Sequence, residues 1–583
     1  MEQSSIPSAQ MLVQHCKAFG IKNIVISPGS RNAPLTLSFT GDPFFTCYSV
    51  VDERSAAFFA LGIAQQLQGP VAAVCTSGSA MLNYYPAVAE AFYSDIPLVV
   101  ISADRPSYKI DIGDGQTIRQ DNVFDRHIRY SANLRQDVSH ATNRIERYAP
   151  QLLGDGELKI AQKNVEDFNL REIVQALDFA TDENSPVHIN IPFEEPLYDM
   201  MPKTADSVKG PARDTGRIEI PDLSTFTSIW NGARRKMVLV GTSPPNGVAQ
   251  KYLDFLAQDP SVILMTETTS NLHHPSFFAS IDSIIAPIER TKNKEELFET
   301  LRPEVLLTFG GLVVSKKIKA FLREYKPTHH WHVDSKKANN TFFGLTHHFK
   351  MLSNTFFHIF LPNAEKTSSD YFSFWNSRRE HYECKRKEYL QKIPFSDMLV
   401  FEMVLKCIPK EYQLQLGNSS TVRYAQLFDL NPSLQVFCNR GTSGIDGSVS
   451  TAVGASIYSE SPTLLISGDL SFLYDSNGLW NKYVRPDFRI IVINNSGGGI
   501  FRILPGYRET SNFKTFFETP HGLQISHLCE MFGFDFFSAV DAEGLVMALE
   551  NFYEPSDKPK LLEISTPPTV NDQILLQYFD FIS

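Results

Sequence analysis

Along the chain, short runs of apolar, mostly β-branched residues alternate with longer stretches of helical composition. Ile24-Val25-Ile26 stops at Ser27-Pro28-Gly29, Val71 to Cys75 at Thr76-Ser77-Gly78, Pro97 to Ser102 at Ala103-Asp104-Arg105-Pro106, and Val187 to Ile191 at Pro192. Between them lie stretches such as Glu53 to Gln68, rich in Ala, Leu and Phe. Continuous apolar strands alternating with helices predict a parallel sheet covered on both faces. Ligands of such sheets gather beyond the carboxyl ends of the strands, where the Ser, Gly, Asp and Arg clusters fall.

The pattern repeats twice more. A polar stretch from Met201 to Pro221 reads as a linker, followed by Lys236 to Gly241, Ser261 to Met265 and Val305 to Gly311, again strands running into turns. A strongly charged stretch, Ala364 to Lys392, reads as an exposed helix. A last block carries Leu464 to Ser467, Arg489 to Asn494 and Lys560 to Ser565. The fold class expected is α/β, with three consecutive parallel-sheet domains at residues 1–200, 201–392 and 393–583. The length of 583 residues agrees, at about 100–200 residues per domain.

Charge narrows the partners. Lys and Arg total 54 against 65 Asp and Glu, a formal net charge of −11, which opposes any delocalised attraction to nucleic acid or an anionic membrane. Anions can still be bound locally. The seven cysteines contain no C-x-x-C pair and read as reduced core thiols of a cytoplasmic chain. No basic, apolar leader opens the sequence and no apolar run approaches 18 residues, so neither export nor membrane spanning is expected.

The strongest chemical signal is Gly468-Asp469-Leu470-Ser471, directly after an apolar run, followed by Ile490 to Ile493 and then Asn494-Asn495-Ser496-Gly497-Gly498-Gly499. Asp469 and Asn495 are 26 positions apart, the length of a loop, a helix and a further strand, so the two clusters are expected side by side at one sheet edge. A carboxylate, an amide oxygen and a carbonyl from the glycine turn are hard donors suited to Mg²⁺, which keeps other positions for phosphate oxygens and water. Taken singly, Asp469 could cap a helix and Asn494-Asn495 could merely turn the chain. As a pair they resemble the diphosphate-binding motif of the thiamine diphosphate enzymes, usually Gly-Asp-Gly and then Asn-Asn some two dozen residues on. Leu470 stands here for the second glycine.

That cofactor also needs a buried carboxylate against its aminopyrimidine ring. Glu53, after Val50-Val51-Asp52 and before Arg54-Ser55-Ala56-Ala57-Phe58, resembles the family's glutamate; alone, it could equally be an acid favoured at a helix N-terminus. In this family the glutamate and the metal motif come from different domains and usually different subunits, which implies a homodimer or homotetramer with active sites at the subunit interface.

Further motifs narrow the resemblance: Ser27 to Leu35, Ala103 to Pro106, Gln116 to Gln120, Arg440 to Gly447 and Gly468 to Asp475. They are similar to the branch of transferases that decarboxylates 2-oxoglutarate and adds the succinyl unit to isochorismate in a Stetter-like 1,4-addition, in menaquinone biosynthesis. The resemblance implies Glu53 as the catalytic carboxylate and cofactor contact, and Asp469, Asn495 and the Gly497 carbonyl as ligands of Mg²⁺ or Mn²⁺. It implies Ile445, Gly468, Leu470 and Ser471 around the cofactor, Ile445 as an apolar wedge beneath it. Ser30, Arg31, Arg105, Gln116, Arg423 and Arg440 would line the substrate pocket, with Ile500, Phe501 and Leu504 as its apolar wall. Gly115 precedes Gln116 where relatives often have Asn. Guanidinium groups suit the carboxylates of both substrates, since each can take a carboxylate in bidentate fashion.

Another thiamine diphosphate-dependent 2-oxo acid decarboxylase or carboligase is the nearest rival. Pyruvate-type decarboxylases carry a His-His pair soon after the glutamate, whereas here the pairs are His273-His274, His329-His330 and His347-His348, which read as structural or surface residues. A flavin-dependent synthase would need a dinucleotide fingerprint, and Gly441-x-x-Gly444-x-x-Gly447 is not one.

Overall fold

The computed structural model describes residues 2–154, 156–203, 208, 210, 221–503 and 509–583. Its chain divides into two compact units. The first comprises Met1–Thr215, Gly441–Glu460 and Leu473–Phe488, and the second Gly216–Arg440, Ser461–Phe472 and Arg489–Ser583.

The first unit is built on a six-stranded sheet in the order Thr46–Ser49, Asn23–Ile26, Val71–Cys75, Leu98–Asp104, Val187–Pro192, Tyr130–Asn133, parallel throughout. Val71–Cys75 and Leu98–Asp104 are buried at every residue, as central parallel strands covered on both faces must be. The Glu53–Leu67 helix covers this sheet and packs against the Ser448–Ser456 helix of the same unit. Two glycines set their separation: a Cβ on Gly62 would lie 2.1 Å from the Thr451 carbonyl oxygen, and one on Gly454 2.1 Å from that of Phe59. Backbone meets backbone there, and no side chain fits between.

The second unit carries two parallel sheets. One runs Val262–Met265, Lys236–Val240, Val305–Phe309, His329–Val333, His347–Phe349. The other runs Gln435–Phe437, Gln413–Leu416, Thr463–Gly468, Arg489–Asn494, Lys560–Ser565, Asp535–Ala539. Residues of both sheets, among them Met265, Leu306, Leu414 and Ile491, join one continuous apolar core. Among the described residues, the strands of these three larger sheets lie within residues 23–192, 236–349 and 413–565, and a fourth, two-stranded antiparallel sheet pairs Glu2–Ser4 with Met200–Pro202.

Two expectations are corrected. The charged stretch after Ala364 is not an exposed helix: the helix Tyr371–Leu390 buries Tyr371, Trp375, Tyr382, Arg386 and Tyr389, a stripe at helical spacing, against the shared core. Apart from Arg386, its charges are half-buried or exposed. Nor are all cysteines core thiols, because Cys384 and Cys407 are exposed; all seven are free. His330 is a buried strand residue bonded to Thr308 Oγ1 at 2.9 Å, in keeping with a structural role.

Candidate active site

Thr463–Gly468 and Arg489–Asn494 are neighbouring parallel strands with Gly468 opposite Ile493, so the chain leaves both at the same edge. Asp469 opens the turn after the first, Asn495 the turn after the second. The Asp469 carboxylate is buried and accepts from Leu470 N–H at 2.7 Å, from Gly497 N–H at 2.8 Å and from His521 Nε2 at 3.1 Å. Burial is the largest influence on its acidity and raises its pKa, against the lowering effect of those bonds.

Asn495 donates from Nδ2 to Asp397 Oδ2 at 3.1 Å, while its Oδ1 is buried with no hydrogen-bond partner. An unsatisfied buried acceptor next to a buried carboxylate is the arrangement a hard cation would complete. Among the described residues no group of three or more His, Cys, Asp or Glu side chains is placed to hold a metal, so the donors on offer are carboxylate, amide and carbonyl oxygens. The glycine turn itself is tight: Gly497 has φ +147°, and a Cβ there would lie 2.5 Å from the Glu518 carbonyl oxygen. Leu470 is half-buried and Ser471 buried at the start of the following helix. Ile500 and Phe501 are half-buried in the short helix Gly499–Ile503, Phe501 in edge contact with Phe517. Leu504 lies outside the described residues.

In the first unit, Glu53 is the first residue of its helix, half-buried, with Asp52 as the N-cap accepting from Ser55 N–H. Asn83 Nδ2 approaches Glu53 Oε2 at 3.5 Å, long for a hydrogen bond. Burial raises the pKa of Cys75 and Tyr84, and the Glu53 carboxylate adds to that rise. Ile445 sits half-buried in the turn that leads into the Ser448–Ser456 helix. That turn is held by the buried Glu90 carboxylate, which accepts from Gly441 N–H at 2.7 Å, Thr442 N–H at 2.6 Å and Thr442 Oγ1 at 2.9 Å.

The expected substrate residues fall into two groups. Arg31 and Arg105 are neighbours in the first unit: burial lowers the Arg31 pKa most, and the Arg105 charge lowers it further. Ser30 and Gln116 are exposed there, and the Gln116 backbone lies against Gly78. Arg423 and Arg440 are neighbours in the second unit, the Arg423 pKa lowered first by burial and then by Arg440. Arg440 Nη1 donates to Asn418 Oδ1 at 2.7 Å.

Four residues of these surroundings carry no local sequence signal. Gln120, fully buried, accepts from Gly78 N–H at 2.7 Å and donates to Asn190 Oδ1 at 2.8 Å, so it organises the strand-end loops that Gln116 only borders. Glu267 accepts from Val314 and Ser315 N–H, both at 2.7 Å, and burial pushes its pKa up to about 7 although Arg440 opposes this. Asp397 and Glu90 complete the set. Each has at least one partner more than 40 residues away in sequence, and only the doublet Glu194-Glu195 after a strand could have drawn attention to the acids that face Arg31.

Comparison with known proteins shows the family. Residues 7–127 match the family described as thiamine pyrophosphate enzyme, N-terminal TPP binding domain, and residues 417–564 the corresponding C-terminal TPP binding domain. Over the full length of both chains the protein is 54% identical to a 2-succinyl-5-enolpyruvyl-6-hydroxy-3-cyclohexene-1-carboxylate synthase of Christiangramia forsetii. It is 52% identical to one from Flavobacterium johnsoniae, covering 98% of each chain, and 36% identical to one from Porphyromonas gingivalis, covering 97% and 95%. By this full-length likeness, the chain belongs to the 2-succinyl-5-enolpyruvyl-6-hydroxy-3-cyclohexene-1-carboxylate synthase family of thiamine diphosphate enzymes.

Proposed function

We propose that this protein is a transferase that removes CO₂ from 2-oxoglutarate and joins the remaining succinyl unit to isochorismate by 1,4-addition, a step of menaquinone biosynthesis. The observation that carries this reading is Asp469 beside the partnerless Asn495 Oδ1 at one sheet edge, in a chain whose full-length relatives are named for the product. When bound, thiamine diphosphate supplies the electron sink that lets a 2-oxo acid lose CO₂ and its carbonyl carbon act as a nucleophile. Asp469, Asn495 and the Gly497 carbonyl would hold Mg²⁺ or Mn²⁺ against the diphosphate, with Gly468, Leu470 and Ser471 beside it. Glu53 Oε would hold the proton shared with the aminopyrimidine ring.

Four guanidinium groups, Arg31, Arg105, Arg423 and Arg440, would receive the substrate carboxylates, joined by Ser30 and Gln116. Ile500, Phe501 and Leu504 would keep water from the reacting carbon, and Ile445 would bear on the cofactor from below. Decarboxylation disperses charge, so an apolar wall favours it. Residues 1–200 would bind the pyrimidine end and 393–583 the diphosphate end, with 201–392 between them in sequence, in a cytoplasmic homodimer or homotetramer whose sites form between subunits. No helix among the described residues is long and apolar enough to cross a membrane.

The test is to incubate purified protein with thiamine diphosphate, Mg²⁺, 2-oxoglutarate and isochorismate, following CO₂ release and isochorismate loss together. Equal rates of both, each dependent on the other substrate, are expected. Turnover of pyruvate, or steady CO₂ release without isochorismate, would instead make the protein a different 2-oxo acid decarboxylase or carboligase.

A further inference from the structure

The strand Val187–Pro192 runs into Phe193-Glu194-Glu195, and the two adjacent acids have different surroundings. Glu194 is buried and fixed, accepting from Lys109 Nζ at 2.8 Å, from Arg144 Nη1 at 3.1 Å and from the Tyr108 hydroxyl. Glu195 has 42% of its side chain exposed. Its Oε1 accepts from Arg31 Nη2 at 3.0 Å and its Oε2 from Arg144 Nη1 at 2.9 Å. Arg105 Nη1 stands 4.0 Å from the same Glu195 oxygen and 4.0 Å from Asp114 Oδ2.

Arg31 is the opposite of Glu195 in exposure: 3% exposed, with Nη1 tied to the Phe193 carbonyl oxygen at 2.9 Å. Its Nε is buried without a partner, and so is that of Arg105. The Nε–Nη2 edge of a guanidinium is shaped to take both oxygens of one carboxylate. Glu195 uses only the Nη2 half of that edge and spends its other oxygen on Arg144. A free carboxylate arriving at Arg31 could fill both positions and satisfy the buried Nε–H, a donor costly to leave unpaired.

We propose that Glu195 is an internal carboxylate that occupies the Arg31–Arg105 anion site between turnovers and yields it to a substrate carboxylate, remaining tethered by Arg144 when it moves aside. The inference rests on the reading that Arg31 and Arg105 bind substrate. Glu195 then sets substrate affinity by competition, because apparent affinity is the intrinsic affinity scaled by the fraction of sites left open. It also keeps the site closed to the wrong ligand: a monoanion that engages Arg31 through one atom gains no bond over the one it displaces, whereas a carboxylate gains a second.

Glu195→Gln keeps an acceptor for Arg31 and removes the charge, so the competitor weakens while the exposed position tolerates the change. The KM for 2-oxoglutarate or for isochorismate is expected to fall about fivefold, the difference between a charged and a neutral hydrogen bond. A brace that merely orients Arg31 would behave oppositely, and a KM that rises or stays level for both substrates overturns the proposal. Arg31→Lys, measured alongside, separates the two levels of inference. If it raises a KM about tenfold or more while Glu195→Gln lowers neither, the substrate site stands and the exchange does not; if Arg31→Lys leaves both KM values unchanged, the substrate reading of Arg31 fails and takes the proposal with it. Thiamine diphosphate affinity, followed by fluorescence quenching, should be the same in all three proteins, which reports that the fold is kept.

Discussion

Asn495 divides its amide between two tasks: Nδ2 is fixed on Asp397, which leaves Oδ1 aimed at nothing in the protein. Asp397 is itself fixed by Thr566 Oγ1 at 2.6 Å and by a bond from its own N–H to Asn571 Oδ1 at 2.9 Å. Outer residues of this kind orient metal ligands, and their loss commonly costs metal affinity about 10–100-fold. Asp397→Ala is therefore expected to raise the Mg²⁺ concentration that half-saturates thiamine diphosphate binding by that factor, although Asp397 ligates nothing; titration of cofactor binding against Mg²⁺ checks it. Glu53→Gln should act at the other end of the cofactor. It is expected to lower kcat by about 10²–10⁴-fold, the usual contribution of a positioned acid–base group, with diphosphate affinity nearly unchanged in the same titration. Asp469, Asn495 and Glu53 could be singled out in the sequence because each follows a short apolar run, inside a motif written in consecutive residues. Asp397, Glu90, Gln120 and Glu195 were not, because a carboxylate or amide far along the chain carries no mark of the group it will meet.

The Glu53–Leu67 and Ser448–Ser456 helices show how an element can be readable while its use is not. Alanine, leucine and phenylalanine made a helix of the first plain, but the role of Gly62 is its close approach to the segment around Gly454, almost 400 residues away. Asp475 holds the first turn of the second helix, accepting from Ser450 N–H at 2.7 Å and Ser450 Oγ at 2.8 Å. Burial, the largest influence, pushes the Asp475 pKa from an ordinary value of 3.8 up to about 7. Between those values the folded chain keeps a proton that the unfolded chain has lost, so the stability this group contributes is full below pH 3.8 and disappears as pH rises through about 7. Asp475→Asn cannot ionise and removes this dependence. The Tm of the wild type minus that of Asp475→Asn should decline from pH 5 to about pH 7 and level off above it, measured by thermal unfolding; a constant difference would mean that Asp475 is charged throughout. The Tyr371–Leu390 helix was misjudged for a related reason, since its average composition is charged while its stripe of Tyr, Trp and Tyr at helical spacing is what packs.

For the molecule as a whole, a net charge of −11 repels dicarboxylate substrates at a distance, so affinity has to be local. On the proposed reading, Arg31 and Arg105 would supply it in the first unit and Arg423 and Arg440 in the second. If sites form between subunits, Glu53 of one chain serves the Asp469 of another. Mixing inactive Glu53→Gln protein with inactive Asp469→Ala protein should then restore activity to about a quarter of the wild-type value, because random exchange makes half the dimers hybrids and each hybrid has one intact site of two. No recovery after exchange, verified by tagged subunits, would place both residues of each site in one chain. Short-range chemistry, readable in the order of residues, was enough for the alternating strands and helices, the three sheets, the turn chemistry of Asp469 and Asn495, and the cationic character of the substrate residues. Which buried groups are satisfied and which are left open emerged only in the packed fold, because hydrogen-bond satisfaction and desolvation depend on neighbours in space. That is how Asn495 Oδ1 came to lack a partner, and how a glutamate 164 residues away came to lie on Arg31.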